Sequence, residues 1–118
     1  MANTTNSATH EECLAIMLPI KDALTILSGK WKIPIITSLA FGGKRFTEIT
    51  REITGMTDKV LSKELKELEE NHLITRKVYD TFPPTVEYEI TAHGRSLDEV
   101  IMKLKDWGVQ HRKIVIGK

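Results

Sequence analysis

A change of hydrophobic period in the middle of the chain constrains its fold more than any other feature. Three leucines of the segment 57–74 recur at the spacing of one helical face: Leu61, Leu65 and Leu68. After residue 72 the period becomes two, because LITRKVYD is rich in β-forming residues and VEYEIT alternates apolar and acidic side chains. Pro83 and Pro84 stand between these segments and cannot donate ladder hydrogen bonds. The pattern predicts a helix followed directly by an antiparallel hairpin with a projecting tip.

A second short helix is predicted before the leucine-rich one, over residues 45–53. Its inward face is formed by Phe46, Ile49 and Ile53. We expect Thr47 to cap this helix, Gly55 to allow a tight turn, and Thr57 to cap the helix that follows. Short helix, glycine-containing turn, second helix and hairpin together predict a winged helix-turn-helix, an α+β fold that is mostly helical.

The flanking segments predict further helices. Leu18–Gly29 is expected to form a helix with Pro19 in its first turn, and residues 30–43 a second, apolar helix with Pro34 near its beginning. Thr91 is expected to cap one long final helix over residues 92–113. Residues 1–10 are polar and predict a disordered tail, which leaves 11–118 as the folded domain.

Composition excludes several classes of protein. The 118 residues are 41% apolar and 28% charged, with a formal net charge of +1, which is typical of one globular domain. A single cysteine and the lack of an apolar run of roughly 20 residues favour a cytoplasmic location without disulfides or membrane contact. The four histidines are far apart, and no acid, base and nucleophile are grouped, so we expect no metal, no cofactor and no enzymatic activity.

The cations of the 57–71 helix point to a nucleic-acid partner. Lys59, Lys63 and Lys66 fall within an arc of roughly 60°, almost opposite the leucines. The alternative is an ordinary solvated face. The hairpin that follows favours DNA, because a mobile tip at residues 81–85 is placed to lie along or in the minor groove.

These positions divide into two kinds of expected DNA contact. Contacts to base edges are expected from the N-terminal half of the helix: Thr57, Lys59, Ser62 and Lys63. Contacts to the backbone or the minor groove are expected from Lys44, Arg45, Lys66, Arg76 and Lys77. Asp58 either accepts a hydrogen bond from cytosine or only stabilises the positive, N-terminal end of the helix dipole.

An ordered set of motifs resembles the HxlR-type, MarR-like family of bacterial winged helix-turn-helix transcriptional regulators. The motifs are G-K-W at 29–31, R-F-x-E-I at 45–49, L-x-x-x-L-K-E-L-E-x-N at 61–71 and P-P-x-V-E-Y-x-I-T-x-x-G at 83–94. The resemblance implies a homodimer that binds double-stranded DNA at a pseudo-palindromic operator, with N- and C-terminal helices packed across a two-fold axis. Interface candidates on the last helix are Leu97, Ile101, Leu104 and Trp107, unless they only cover the core of their own subunit.

The chain departs from that family at one position. Many members carry a cysteine immediately before the proline of the first helix, where this chain has Leu18. Cys13 lies five positions upstream, beside two acidic residues that disfavour a thiolate, so it is either a thiol sensor or a tolerated small residue. Three aromatic residues either pack in the core or dimer seam, or line a pocket for an unidentified small effector: Trp31, Phe41 and Trp107. The rival to a DNA-binding regulator is a winged helix that binds only protein.

Overall fold

The computed structural model describes residues 9–118, which form six helices and one two-stranded sheet. In chain order the elements are α1 (His10–Ile26), α2 (Lys32–Leu39), α3 (Phe46–Glu52), α4 (Asp58–Glu70), β1 (Ile74–Tyr79), β2 (Thr85–Ile90), α5 (Ala92–Arg95) and α6 (Asp98–Val115). This is the predicted mostly helical α+β architecture, with a helix pair followed directly by a hairpin.

Helices α2, α3 and α4 enclose the hydrophobic core together with the start of β1. Its buried apolar side chains are Ile35, Ile36, Leu39, Ile49, Met56, Leu61, Leu65, Leu68, Leu73 and Ile74. The leucine stripe of α4 therefore faces inward as predicted, and Phe46 and Ile53 of the α3 region pack against the same core. Burial of this stripe fixes the rotation of α4 about its axis and so decides which of its side chains face solvent.

The hairpin is antiparallel and extends from the core. Its register runs from Ile74 opposite Ile90 to Tyr79 opposite Thr85. Lys44 joins the outer edge of β2 through two backbone hydrogen bonds with Tyr88, of 3.0 and 2.8 Å. The hairpin is thus tied to the segment that precedes α3.

Helix α1 begins eight residues before the predicted start at Leu18. A capping box explains the difference, because Thr9 Oγ1 accepts from the Glu12 N–H at 3.0 Å and Glu12 Oε1 accepts from the Thr9 N–H at 2.6 Å. Pro19 consequently lies inside the helix and not in its first turn. The predicted tail at 1–10 falls outside the described residues, apart from this cap and the first helical residue.

Two further expectations about helix ends are wrong. Helix α3 is capped at Arg45, whose backbone N–H donates to Glu48 Oε1 at 2.7 Å, so Thr47 lies within the helix. The long final helix is broken into α5 and α6 at Ser96 and Leu97. Thr91 caps α5 as predicted, accepting from the Gly94 N–H at 2.9 Å.

Gly94 of α5 packs closely against the start of the hairpin, two residues before the break. A Cβ at this position would lie 2.3 Å from the Leu73 carbonyl oxygen, so only glycine lets α5 rest against the chain at the start of the hairpin. The Ser96 hydroxyl then donates to the His93 carbonyl at the end of α5. Leu97 and Ile101 pack against the core, whereas the residues of α6 after Ile101 are mostly exposed.

The terminal helices contribute almost nothing to the core. Within residues 9–118, neither α1 nor α6 has a fully buried residue. The subunit is elongated, with principal dimensions of 65 × 37 × 23 Å. In the described part of the chain, no helix has the length and apolar character needed to span a bilayer.

Candidate nucleic-acid interface

Helix α4 is held at its N-terminal end by a cap and a tight turn. Thr57 Oγ1 accepts from the Val60 N–H at 3.1 Å, which confirms the predicted cap. Gly55 has a φ of +90°, a conformation that glycine adopts without steric cost, and it lies beside the Trp31 ring. The first turn of α4 therefore has a defined position, and its unpaired N–H groups place partial positive charge there.

The outward face of α4 carries the predicted contact residues. All five side chains are exposed: Thr57, Lys59, Ser62, Lys63 and Lys66. Lys59 and Lys66 form no ion pair with any other residue of the 9–118 segment. Lys63 Nζ lies 3.3 Å from Glu67 Oε2, one helical turn away, but its side chain remains 68% exposed.

The inward side of α4 contains an ion cluster that the sequence did not indicate. Lys32 Nζ of α2 lies 2.5 Å from Glu64 Oε1 and 2.6 Å from Glu67 Oε1. The Lys32 and Glu64 side chains are only 5% and 10% exposed. The cluster joins α2 to α4 behind the exposed face, with Glu67 linking the buried Lys32 to the exposed Lys63.

Opposing effects set the protonation of this cluster. Burial by itself lowers the pKa of the Lys32 ammonium, but hydrogen bonds and charge attraction from Glu64 and Glu67 outweigh burial, and the pKa is raised above its ordinary value. The hydrogen bond from Lys32, followed by the one from Lys63, lowers the pKa of Glu67. The charged forms of Lys32 and Glu67 are therefore favoured, as their ion pair requires.

Two sequence signals point to this cluster in retrospect. Lys32 is the first residue of an otherwise apolar helix, and Glu64 is three residues after Leu61, next to the buried stripe. A charge at such a position must find a partner when it is buried. The partner itself was not predictable, because Lys32 and Glu64 are 32 positions apart.

Lys44 is placed differently from the expected phosphate contact. Its ammonium donates to the Ser38 carbonyl, lies 3.4 Å from Glu52 Oε1, and its side chain is only 19% exposed. Lys44 therefore joins the end of α2 to α3. The Ser38 hydroxyl donates to Glu52, and this hydrogen bond, together with Lys44, lowers the pKa of the Glu52 carboxyl. The adjacent Arg45 is exposed.

The wing, which comprises β1, β2 and the tip between them, presents Arg76 and Lys77 to solvent on opposite faces of the hairpin. Lys77 Nζ lies 3.4 Å from Glu89 Oε1 and remains 57% exposed. Tyr79 also donates to Glu89, at 3.2 Å, and desolvation together with this carboxylate raises the pKa of the phenol. Arg76 forms no ion pair with another described residue, so no neighbouring carboxylate offsets its charge as Glu89 offsets that of Lys77.

The predicted interface residues of the last helix fall into two groups. Leu97 and Ile101 are partly buried against the core of their own subunit. Leu104 and Trp107 are 51% and 64% exposed, and the Trp107 ring stacks on His111 with centroids 4.8 Å apart. The alternative that these residues only cover the core of their own subunit therefore holds for Leu97 and Ile101. Leu104 and Trp107 are exposed in a single subunit.

Within one subunit, two of the aromatics expected to line an effector pocket lie in different surroundings. Trp31 packs against the core beside Gly55, whereas Phe41 is exposed and lines a hollow with Ile101 and Met102 at the start of α6. Cys13 is exposed on α1, where its thiol donates to the Met17 sulfur at 3.3 Å. Among residues 9–118 there is no group of three potential metal ligands.

An amphipathic helix with a capped, cationic outer face, preceded by a short helix and followed by a hairpin wing, defines a winged helix-turn-helix DNA-binding protein. The HxlR-like helix-turn-helix family model matches residues 26–115. The chain belongs to this family, and it is a helix-turn-helix transcriptional regulator.

Two curated relatives come from Bacillus subtilis (strain 168), and both are described as HTH-type transcriptional regulators. The chain is 39% identical to YtcD over 100 residues, which cover 85% of this chain and 79% of YtcD. It is 40% identical to YdeP over 94 residues, which cover 80% of this chain and 73% of YdeP.

A solved structure of similar fold is that of the redox regulator HypR in its reduced form. The TM-score is 0.78 at 34% identity, with 85% of this chain and 99% of HypR covered. The crystal structure of YtcD superposes with a TM-score of 0.77 at 40% identity, covering 80% of this chain and 97% of that one.

Proposed function

We propose that this regulator acts as a homodimer that reads a pseudo-palindromic operator in double-stranded DNA. The observation that carries the proposal is the two-sided character of α4. Its leucines and Glu64 are fixed in the subunit interior, while its hydroxyls and lysines face outward from the first turn onward. An α-helix presented in this way fits the major groove.

Direct base contacts are assigned to the outward residues of the first two turns of α4: Thr57, Lys59, Ser62 and Lys63. Lysine ammonium groups reach guanine O6 and N7, and short hydroxyls bind either donors or acceptors. Phosphate or groove contacts are assigned to Arg45, Lys66, Arg76 and Lys77, all of which are exposed. Lys44 is no longer assigned to DNA, because its ammonium is used within the subunit.

The dimer is supported by the apolar surface of α1 and α6. Large side chains of both helices are about half or more exposed, among them Ile16, Met17, Leu18, Ile20 and Leu24 on α1 and Met102, Leu104 and Trp107 on α6. An apolar surface of this extent is typical of an interface. A two-fold axis through it would present two copies of α4, and half-sites one helical turn of about 34 Å or a multiple apart.

The expectations of a cytoplasmic location and of no enzymatic activity belong to the same proposal, because a regulator of this family acts on DNA. An effector also remains a proposal. HypR is a redox regulator, but this chain has a single cysteine at a different place from the expected sensor position. We propose no thiol chemistry for Cys13.

The test begins with selection of bound fragments from the genome of the source organism, followed by fluorescence anisotropy with the selected duplex. Binding should weaken steeply with salt, and a scrambled duplex should bind at least about a thousandfold more weakly. A duplex carrying one half-site should bind much more weakly than the full site. If no duplex were bound specifically at any salt concentration, the result would instead favour a winged helix that binds only protein.

A further inference from the structure

The tip of the wing carries an aromatic side chain that the core does not use. Phe82 is fully exposed, with a relative accessibility of 102%. It stands between β1 and β2, midway along the chain between Ile74 and Ile90, the paired residues at the core end of the hairpin. An isolated phenylalanine at the end of a projecting hairpin is available for contact with another molecule.

Hydrogen bonds hold the tip in one shape. The Thr81 N–H donates to the Tyr79 carbonyl at 2.8 Å, and the Thr81 hydroxyl donates to the Pro83 carbonyl at 2.8 Å. Thr81 and Thr85 bring their hydroxyl oxygens within 3.4 Å of each other. Two successive prolines further restrict the backbone after Phe82. A side chain presented on an ordered loop loses little conformational entropy on binding.

The tip lacks the positive charge that a contact with phosphate would need. Between Tyr79 and Val86 the chain has no lysine or arginine and one acid, Asp80. The wing cations Arg76 and Lys77 lie lower on the hairpin, in β1. Attraction to phosphate therefore acts on Arg76 and Lys77 in β1, whereas the tip offers an apolar side chain for contact.

We propose that Phe82 is the minor-groove contact of the wing and that its ring wedges between two adjacent base pairs. The proposal rests on the proposed binding of α4 in the major groove, which brings a wing into reach of the neighbouring minor groove. Apolar side chains enter the minor groove as wedges and open base steps there, most readily at flexible pyrimidine–purine steps. Phe82 would thus favour operators with such a step beneath the wing.

The experiment compares four proteins on the selected operator by fluorescence anisotropy at several salt concentrations. Phe82→Ala should weaken binding about tenfold, within the range for loss of an aromatic contact to a base. The slope of log affinity against log salt should not change, because no charge is removed. Phe82→Leu should retain most of the affinity, since leucine also acts as a wedge. Phe41→Ala is the matched control, an exposed phenylalanine beside α6, and should bind like the original protein.

A second readout reports on the base step itself. A 2-aminopurine placed at the step beneath the wing should brighten when the original protein binds and should stay dim with Phe82→Ala. Unchanged affinity and fluorescence in Phe82→Ala would overturn the proposal, as would a loss accompanied by a smaller salt slope. These outcomes leave the proposed function standing, because that function fails only if the unaltered protein shows no specific binding.

Discussion

The centre of the chain and its two ends use their apolar residues in opposite ways. From α2 to the start of β1, apolar side chains are buried in one core and a buried ion cluster joins two of the helices. Helices α1 and α6 are longer and richer in exposed apolar residues, but within the described segment neither has a fully buried one. The difference fits the proposed dimer, in which the centre is packed on its own contacts and a second subunit covers the apolar surface of the two terminal helices.

The largest effect is expected from Lys32→Met in the central region. This change leaves the buried Glu64 carboxylate without its partner and should lower the free energy of unfolding by about 3–5 kcal/mol. Urea denaturation followed by circular dichroism measures it. The double variant Lys32→Met/Glu64→Leu removes both buried charges and should recover most of the loss. A loss below about 1 kcal/mol in the single variant would mean that the cluster does not hold α2 to α4.

The next prediction compares the same substitution in the two regions. Leu65 is 2% exposed in the core and Leu104 is 51% exposed on α6. Leu65→Ala should cost about 2–5 kcal/mol at every protein concentration, because the cavity lies within one subunit. Leu104→Ala should destabilise only at concentrations where dimers form. If both losses were independent of concentration, the assignment of α6 to an interface would be wrong.

Acid should weaken the central region through Glu67. Its pKa is lowered in the folded protein, so its stabilisation is complete above the unfolded value of about 4.3 and is lost as pH falls through the lower folded value. Lys32 has a raised pKa, so its contribution is lost only as pH rises above about 10.4 and through the higher folded value. Between pH 6 and pH 3, unfolding experiments should show a smaller loss of stability in Glu67→Gln than in the original protein.

Glu69 provides the control for this pH experiment. It is exposed on the same helix and forms no ion pair with the rest of the described chain. Glu69→Gln should therefore follow the original protein between pH 6 and pH 3. Identical pH profiles for all three proteins would show that the contact of Glu67 with Lys32 does not persist in solution.

The smallest effect concerns single cations. Lys66→Ala should weaken binding to all duplexes alike and reduce the salt slope by about 1, because one phosphate contact is lost. Lys103→Ala, an exposed lysine on α6, should leave the slope unchanged. The same salt titration measures both variants. Equal slopes for Lys66→Ala and the original protein would remove Lys66 from the interface.

Local pattern was sufficient to predict the central elements. The leucine stripe, the Thr57 cap and the alternating strands around two prolines each depend on neighbouring residues, and the structure contains all of them. The order of these elements predicted a winged helix-turn-helix, and the family motifs implied the same fold. The exposed side of α4 followed from the same periodicity, because burial of one face exposes the other.

Contacts between residues that are not neighbours in the sequence could not be predicted from such patterns. Gly94 lets α5 rest against the Leu73 carbonyl, and Lys44 turns inward because Ser38 and Glu52 lie beside it. The early start of α1 had a local signal, the threonine and glutamate spacing at Thr9 and Glu12, which was masked by the polar composition around it. The contacts to DNA and to a second subunit remain predictions.

The most direct test of the central claim is the mass of the protein alone and on its operator, measured by sedimentation equilibrium. The account predicts a mass of two chains in solution, two chains per full operator, and a shift toward one chain in Trp107→Ala, since exposed aromatics of this kind often dominate interface energy. Val78→Ala, an exposed apolar residue of β1 outside the two terminal helices, should sediment as the original protein does. A single chain at all concentrations, bound one to one on the full operator, would contradict the account.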